Sequence, residues 1–171
     1  RQGLRDKTVI VFTSDHGYHL GEHHFWQKSN LHEEALRVPL IVSVPGMKAG
    51  RTEAITELMD LYPTFSELAG LENLPEHVQG RSLVPVLEDT SASVREAAFT
   101  TGNSGYALRS NEWSYIRYND DTEELYNMQS DPDQFSNLAT NPEYASVVRS
   151  WRGKLDTHMN GAGLKRKVAK K

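Results

Sequence analysis

Apolar positions along this chain fall into three textures, and each predicts a different kind of element. The first is a pair of short, nearly continuous apolar runs, Thr8 to Phe12 and Val38 to Val44, the second closed by Pro45-Gly46. Both are rich in β-branched residues. Such runs fit strands covered on both faces, as in a largely parallel sheet. Roughly two dozen residues separate them, enough for a crossover that contains a long loop. Two strands of this kind point to an α/β layer architecture.

The second texture has helical spacing. In TELMDLYPTFSELA, Thr56 to Ala69, Leu58, Leu61, Phe65 and Leu68 recur three or four apart. Pro63 fits poorly inside one continuous helix, so the pattern predicts a turn near Leu61 and a restart at Pro63, stopped by Gly70. Gly80 to Leu87 is a short apolar connector into a further helical turn. After about Ser91 the third texture begins: Ala97–Thr101, Tyr106–Arg109, Trp113–Tyr118 and Glu124–Asn127 are brief, aromatic-rich runs between Asn, Asp, Ser and Gly. They predict a small antiparallel meander. Asn141-Pro142 opens a last helix, Glu143 to about Met159, whose Tyr144, Val147, Val148, Trp151 and Leu155 form one face to cover that meander. The chain thus divides into residues 1–95, 96–160 and a tail, 161–171.

Composition narrows the classes. The 171 residues are 37% hydrophobic and carry a formal charge of −4, which argues against a basic nucleic-acid footprint over the whole surface. The absence of cysteine excludes disulfides, thiolate metal sites and a cysteine nucleophile within these residues. No apolar run approaches the roughly 20 residues that span a bilayer. LKRKVAKK, Leu164 to Lys171, reads as a solvated, disordered end, with a partner-binding tail as the alternative. A start at Arg1 rather than Met suggests a trimmed or processed chain.

The candidate chemistry lies in TSDHGYHLGEHHFWQKSN, Thr13 to Asn30. Ligands of open α/β proteins collect beyond strand ends. Asp15 and His16 stand there, followed by Gly17, and an adjacent carboxylate and imidazole can both reach one metal ion. The plainer alternative is a loop-capping Asp and a His satisfied by backbone. His19 and His23 are four apart, as in helical zinc motifs, but Gly17 and Gly21 oppose a regular helix there. His24 and His32 read as polar loop or capping residues, and Trp26 as packing or the wall of a pocket. Lys28 brings a cation within reach of the same strand end.

The stretch Thr13 to Gly46 resembles the C-terminal metal-site segment of sulfatases in the alkaline phosphatase superfamily, most closely the iduronate-2-sulfatase-like subgroup. Asp-His-Gly, Leu-Gly-Glu-His, a lysine and Val-Pro-Leu occur in that order. MDLYPTFSELAGL (Met59 to Leu71), QGRSLVPVL (Gln79 to Leu87) and EELYNMQSDPDQFSNLA (Glu123 to Ala139) continue the likeness. The resemblance implies the C-terminal part of an alkaline-phosphatase-like sandwich core, followed by a small antiparallel sheet with a packed C-terminal helix. It implies Asp15 and His16 as ligands of one divalent metal, calcium first, with manganese or magnesium as alternatives. Lys28 would contact the sulfate and its bridging oxygen, His23 would be a positional or weak substrate-binding residue, and Arg37 structural.

The implied substrates are sulfated small molecules or glycans. A phosphonate monoester or phosphodiester hydrolase of the same superfamily and a noncatalytic fragment are the alternatives. The family's formylglycine comes from a Cys/Ser-x-Pro-x-Arg motif, which is not in these residues. The chain alone is therefore expected to be inactive. The resemblance also implies a periplasmic, secreted or lysosomal location.

Overall fold

The structure, a computed structural model, describes residues 2–71 and 73–164. The basic tail beyond Leu164 lies outside the described residues. Two compact units are present, Arg1–Asp15 with Val38–Glu96 and His16–Arg37 with Ala97–Lys171. No described helix is long and apolar enough to cross a membrane.

In the first unit, β1 (Ile10–Thr13) pairs with β2 (Leu40–Ser43). The pairing is antiparallel, with Ile10 opposite Ser43 and Thr13 opposite Leu40, so the expected parallel crossover is corrected. Apolar content reports how well a strand's faces are covered but carries no direction. Here the connection leaves Thr13 and re-enters at its register partner Leu40, an excursion that returns to the end it left. Exposure alternates as well: Val11, Thr13, Leu40 and Val42 are half-buried, whereas Ile10, Phe12 and Ile41 are exposed.

A 3-10 turn, Leu58–Asp60, runs straight into α2 (Leu61–Leu68). The helix starts at Leu61 rather than Pro63, which takes the third helical position. An amide there has no intrahelical partner, so the ring costs no bond. Gly70, at φ +67, ends the helix, and the amides of Gly70 and Leu71 donate to Glu67 O and Ser66 O. The segment after Gly80 lies on this turn so closely that a Cβ on Gly80 would stand 2.1 Å from Met59 O. Thr64 Oγ1 donates to Asp60 O (2.6 Å) and accepts from Leu83 N (2.8 Å), fixing the entry to α3 (Val84–Glu88).

The second unit holds the meander. β3 (Ala98–Thr101), β4 (Gly105–Arg109), β5 (Trp113–Tyr118) and β6 (Glu123–Asn127) follow one another in an antiparallel sheet. Alternation along these strands builds two cores. Tyr106, Leu108, Tyr115 and Leu125 meet Val148, Trp151, Leu155 and Met159 of α4 (Ala145–Gly161). Ala107, Ile116, Tyr126 and Met128 instead meet Leu31 and the half-buried Leu36 at the end of the short helix α1 (Glu33–Leu36). Burying side chains of this size contributes roughly 1.5–3 kcal/mol each.

Polar side chains close the edges of this unit. Asn137 accepts from Leu125 N (3.1 Å) and donates to Glu123 O (3.1 Å), stitching the return loop onto β6. Asp131 accepts from the amides of Phe135 and Ser136. The Glu-Leu-Tyr, Asp-Pro and Asn-Leu-Ala elements thus have a structural explanation: they cover a strand edge that would otherwise pair with another chain.

Candidate active site

Asp15 and His16 follow the last residue of β1 by two and three positions. Asp15 is exposed and closes a segment of the first unit, and His16 opens the second. The excursion from His16 to Arg37 is anchored by Leu31 and Ala35, both buried. Gln134 accepts from Glu33 N (2.7 Å) at the start of α1 and donates to Ser114 Oγ (2.8 Å). Arg109 donates to both carboxylate oxygens of Glu33, at 2.8 and 3.3 Å.

Gly17 is dictated by close approach. Its amide donates to Ala35 O (2.9 Å), and a Cβ in its place would lie 1.8 Å from Glu34 O. Only a residue without a side chain lets this strand extension lie against α1.

The structure brings His16 and Lys28 together. His16 Nδ1 is 2.7 Å from Gly17 O, a group that can only accept, so this nitrogen carries the proton. Nε2 therefore keeps its lone pair, which accepts from Lys28 Nζ at 2.5 Å. Imidazole ligands of metals are arranged in this way, with a carbonyl fixing one nitrogen and the other free to donate electrons. A neutral imidazole nitrogen and, beside it in the sequence, the carboxylate of Asp15 are donor types that a divalent ion takes. Among the described residues no group of three or more His, Asp or Glu side chains is placed to hold a metal.

The other histidines form a polar layer under the loop. His19 is 0% exposed, with Nε2 2.5 Å from Asn30 Nδ2 and Nδ1 3.3 Å from Glu22 O. His23 stacks on His32 (ring centroids 4.4 Å, planes 8° apart) and on Phe135 (4.9 Å). Glu34 lies 3.8 Å from His19 Nε2 and 3.5 Å from His23 Nε2, and His32 Nε2 is 3.0 Å from Glu124. Burial pushes the Glu124 carboxyl up, but the hydrogen bond and charge of His32, together with the hydroxyls of Tyr126 and Tyr118, reverse this and hold it below the usual range.

His23 and His24 have left-handed φ of 53° and 59°, which rules out the helical presentation that a His19/His23 zinc pair needs. His32 is the N-cap residue of α1, where its carbonyl accepts from the amides of Ala35 and Leu36, while its ring meets Glu124 across the unit rather than capping the helix. Trp26 does not pack as a core residue, being 68% exposed. Asn30, Glu34 and Glu124 were not singled out by sequence reasoning, since single polar residues in loops carry no local signal of partners far along the chain.

Comparison with known proteins agrees with the likeness of the motifs. The family profile described as N-sulphoglucosamine sulphohydrolase, C-terminal, matches residues 21–161. An N-acetylglucosamine-6-O-sulfatase of Bacteroides thetaiotaomicron is 40% identical over 159 residues, 84% of this chain and 28% of that protein. A solved protein in complex with its substrate, D-glucosamine-2-N, 6-O-disulfate, superposes with a TM-score of 0.84 at 33% identity, over 92% of this chain and 35% of that one. The phosphonate monoester hydrolase of Agrobacterium radiobacter gives a TM-score of 0.82 at 29% identity, over 94% of this chain and 36% of that one. The chain therefore spans about a third of the length of the proteins it matches.

Proposed function

The chain belongs to the sulfatase family, and from that premise we propose that it is the part of a sulfuric ester hydrolase that carries one side of the metal site and the ester-contacting lysine. Its substrates in this reading are sulfate monoesters of small molecules or glycans. The observation that carries the proposal is the 2.5 Å pairing of Lys28 Nζ with His16 Nε2, just past the end of β1.

Asp15 and His16 would hold one divalent cation, calcium in the first instance, with manganese as an alternative because imidazole suits transition metals better, and magnesium as a further one. When bound, that cation supplies Lewis-acid polarisation of the nonbridging oxygens. Lys28 gives N–H donors and fixed positive charge to the ester oxygen, which gains negative charge as the S–O bond breaks. The Gly17 carbonyl holds the His16 ring in the tautomer whose lone pair faces the site. The polar layer around His19 and His23 positions the loop. The nucleophile, a formylglycine made from Cys or Ser, is supplied by protein outside these 171 residues. On this reading residues 1–171 alone show no turnover, and the protein works in the periplasm, in a lysosome or outside the cell.

The test uses the full-length protein and an aryl sulfate. Lys28→Ala lowers kcat about 10²–10³-fold, the usual effect of removing one charge-stabilising donor. Wild-type kcat in that variant, or turnover by residues 1–171 that Asp15→Ala abolishes, would overturn the reading. A second reading, hydrolysis of phosphonate monoesters, is favoured by the likeness to the Agrobacterium enzyme. Both esters present anionic oxygens to the same lysine, so parallel assays with an aryl sulfate and an aryl phosphonate monoester decide between them.

A further inference from the structure

α1 has only four residues, Glu33–Leu36, and a helix this short is not held by its own propensity. Its N-cap residue, His32, gives the first turn no side-chain hydrogen bond. The acceptor for the Glu33 amide is instead Gln134 Oε1 (2.7 Å), 101 residues further along the chain. Gln134 Nε2 donates in turn to Ser114 Oγ (2.8 Å) on β5. One side chain thus ties the start of α1 to the meander.

Two features set Gln134 apart from a loop residue that merely lies nearby. It is 1% exposed, and its backbone has a left-handed φ of 58°. A non-glycine residue held there carries a steric cost, and such positions persist where the surroundings impose them. Here a turn imposes it: Gln134 N donates to Asp131 O (3.1 Å), and the Asp131 carboxylate accepts from the amides of Phe135 and Ser136 (3.0 and 2.8 Å). Successive side chains of this turn reach two segments. Gln134 caps α1, and Phe135 stacks on His23 (4.9 Å), in the turn that precedes Lys28.

α1 also bears the contact that orients His16. Ala35 O accepts from Gly17 N (2.9 Å), and Gly17 O accepts from His16 Nδ1 (2.7 Å), which leaves Nε2 for Lys28. We propose that Gln134 is a positioning residue of the ester-hydrolysing site: by capping α1 it sets the Gly17 carbonyl, and through it the His16 ring against Lys28. The inference rests on the reading of His16 and Lys28 as site residues. An amide suits the task, because it accepts from a backbone N–H and donates to a hydroxyl without bringing charge into the interior.

The experiment measures kcat and KM of the full-length protein with an aryl sulfate, beside hydrogen exchange followed by mass spectrometry. Gln134→Met keeps the length of the side chain and loses both hydrogen bonds. It lowers kcat about tenfold with KM within about twofold, since a small misplacement of reacting groups acts on the chemical step. The loss is no larger because Arg109 still holds the Glu33 carboxylate. Peptides spanning 16–21 and 32–37 exchange about tenfold faster, whereas 98–109 is unchanged. Gln134→Glu, which keeps an oxygen for Glu33 N while the Ser114 hydroxyl turns to donate, recovers most of kcat. Should Gln134→Met fail to fold, as judged by circular dichroism, Ser114→Ala removes the anchor on the sheet and carries the same expectation.

A wild-type kcat in these variants overturns the inference, as does a kcat loss without faster exchange at 16–21. An equal kcat loss in Val148→Ala, which loosens the core under α4, would make the effect one of general stability and overturns it too. Lys28→Ala is measured beside these. Wild-type kcat there removes the underlying reading of the site, whereas a loss there with none in Gln134→Met removes only the positioning role.

Discussion

Removing the Asp60 carboxylate is expected to destabilise the α2 region by about 3–4 kcal/mol. Asp60 is 0% exposed, and its carboxylate accepts from Glu57 N (2.8 Å), Arg81 N (2.8 Å) and the guanidinium of Arg95, itself only 6% exposed at the side chain. Breaking a buried pair by deleting one partner costs about 3–5 kcal/mol. Here the figure falls in the lower half of that range, because Arg95 keeps Glu57 as a second carboxylate. The two stranded amides alone account for roughly 1–3 kcal/mol each.

Hydrogen exchange followed by mass spectrometry on peptides spanning 57–70 and 80–95 reads this directly, since local opening energies set amide protection. In Asp60→Ala, exchange of these peptides should accelerate by about two to three orders of magnitude. Arg95→Met should do less, because the carboxylate retains both backbone donors. Acceleration below about fivefold in Asp60→Ala would equal the worth of an exposed ion pair, and would refute the view of Asp60 as the hub of this turn.

Four further outcomes follow from the same structure. Trp151→Ala, in the core under α4, should cost about 3–5 kcal/mol, read as a lower urea midpoint. The hydrogen bond from Arg152 holds the Glu123 carboxyl below the usual range, against burial and with help from Tyr115. A depressed folded-state pKa gives stability that is complete above the unfolded value of about 4.3 and lost as pH falls through the folded one. Urea midpoints should therefore drop below about pH 4.3, and Glu123→Gln should flatten that acid limb. Gly17→Ala should lower kcat of the full-length protein about 10²-fold, the cost of misplacing a reacting group by about 1 Å. Chelation should abolish turnover of the full-length protein, and calcium, manganese and magnesium tested singly should identify the ion that restores it.

Legibility in the sequence followed the range of the interactions. The meander was readable nearly to the residue because alternation, turn residues and cross-strand pairing are all local. Tyr106, Leu108, Tyr115 and Leu125 announce their shared face by period alone. The start of α2 was displaced by two residues, since Pro63 is compatible with several first-turn positions. The relation of β1 to β2 was misread for a different reason. Strand direction is set by where a connection returns, and the connection here folds with residues beyond 97 rather than across the sheet.

The same excursion explains what could be read of the candidate site. Asp-His-Gly and the lysine are recognisable as residue types, but no spacing rule predicts that positions 16 and 28 meet. That contact depends on the turn from Gly21 to His24, which places two consecutive non-glycine residues in the left-handed region at a cost of roughly 1–3 kcal/mol each. Such a turn persists only when its surroundings impose it. His23, held between His32 and Phe135, and His19, sealed against Asn30, are the contacts that do so. The histidines that read as competing metal ligands are thus contacts of the turn that precedes Lys28. Weakening that layer with His19→Ala should lower kcat of the full-length protein with little change in KM, and His19→Gln, which can still bond Asn30, should recover part of it. An unaltered kcat in His19→Ala would show that the turn holds its shape without the layer beneath it.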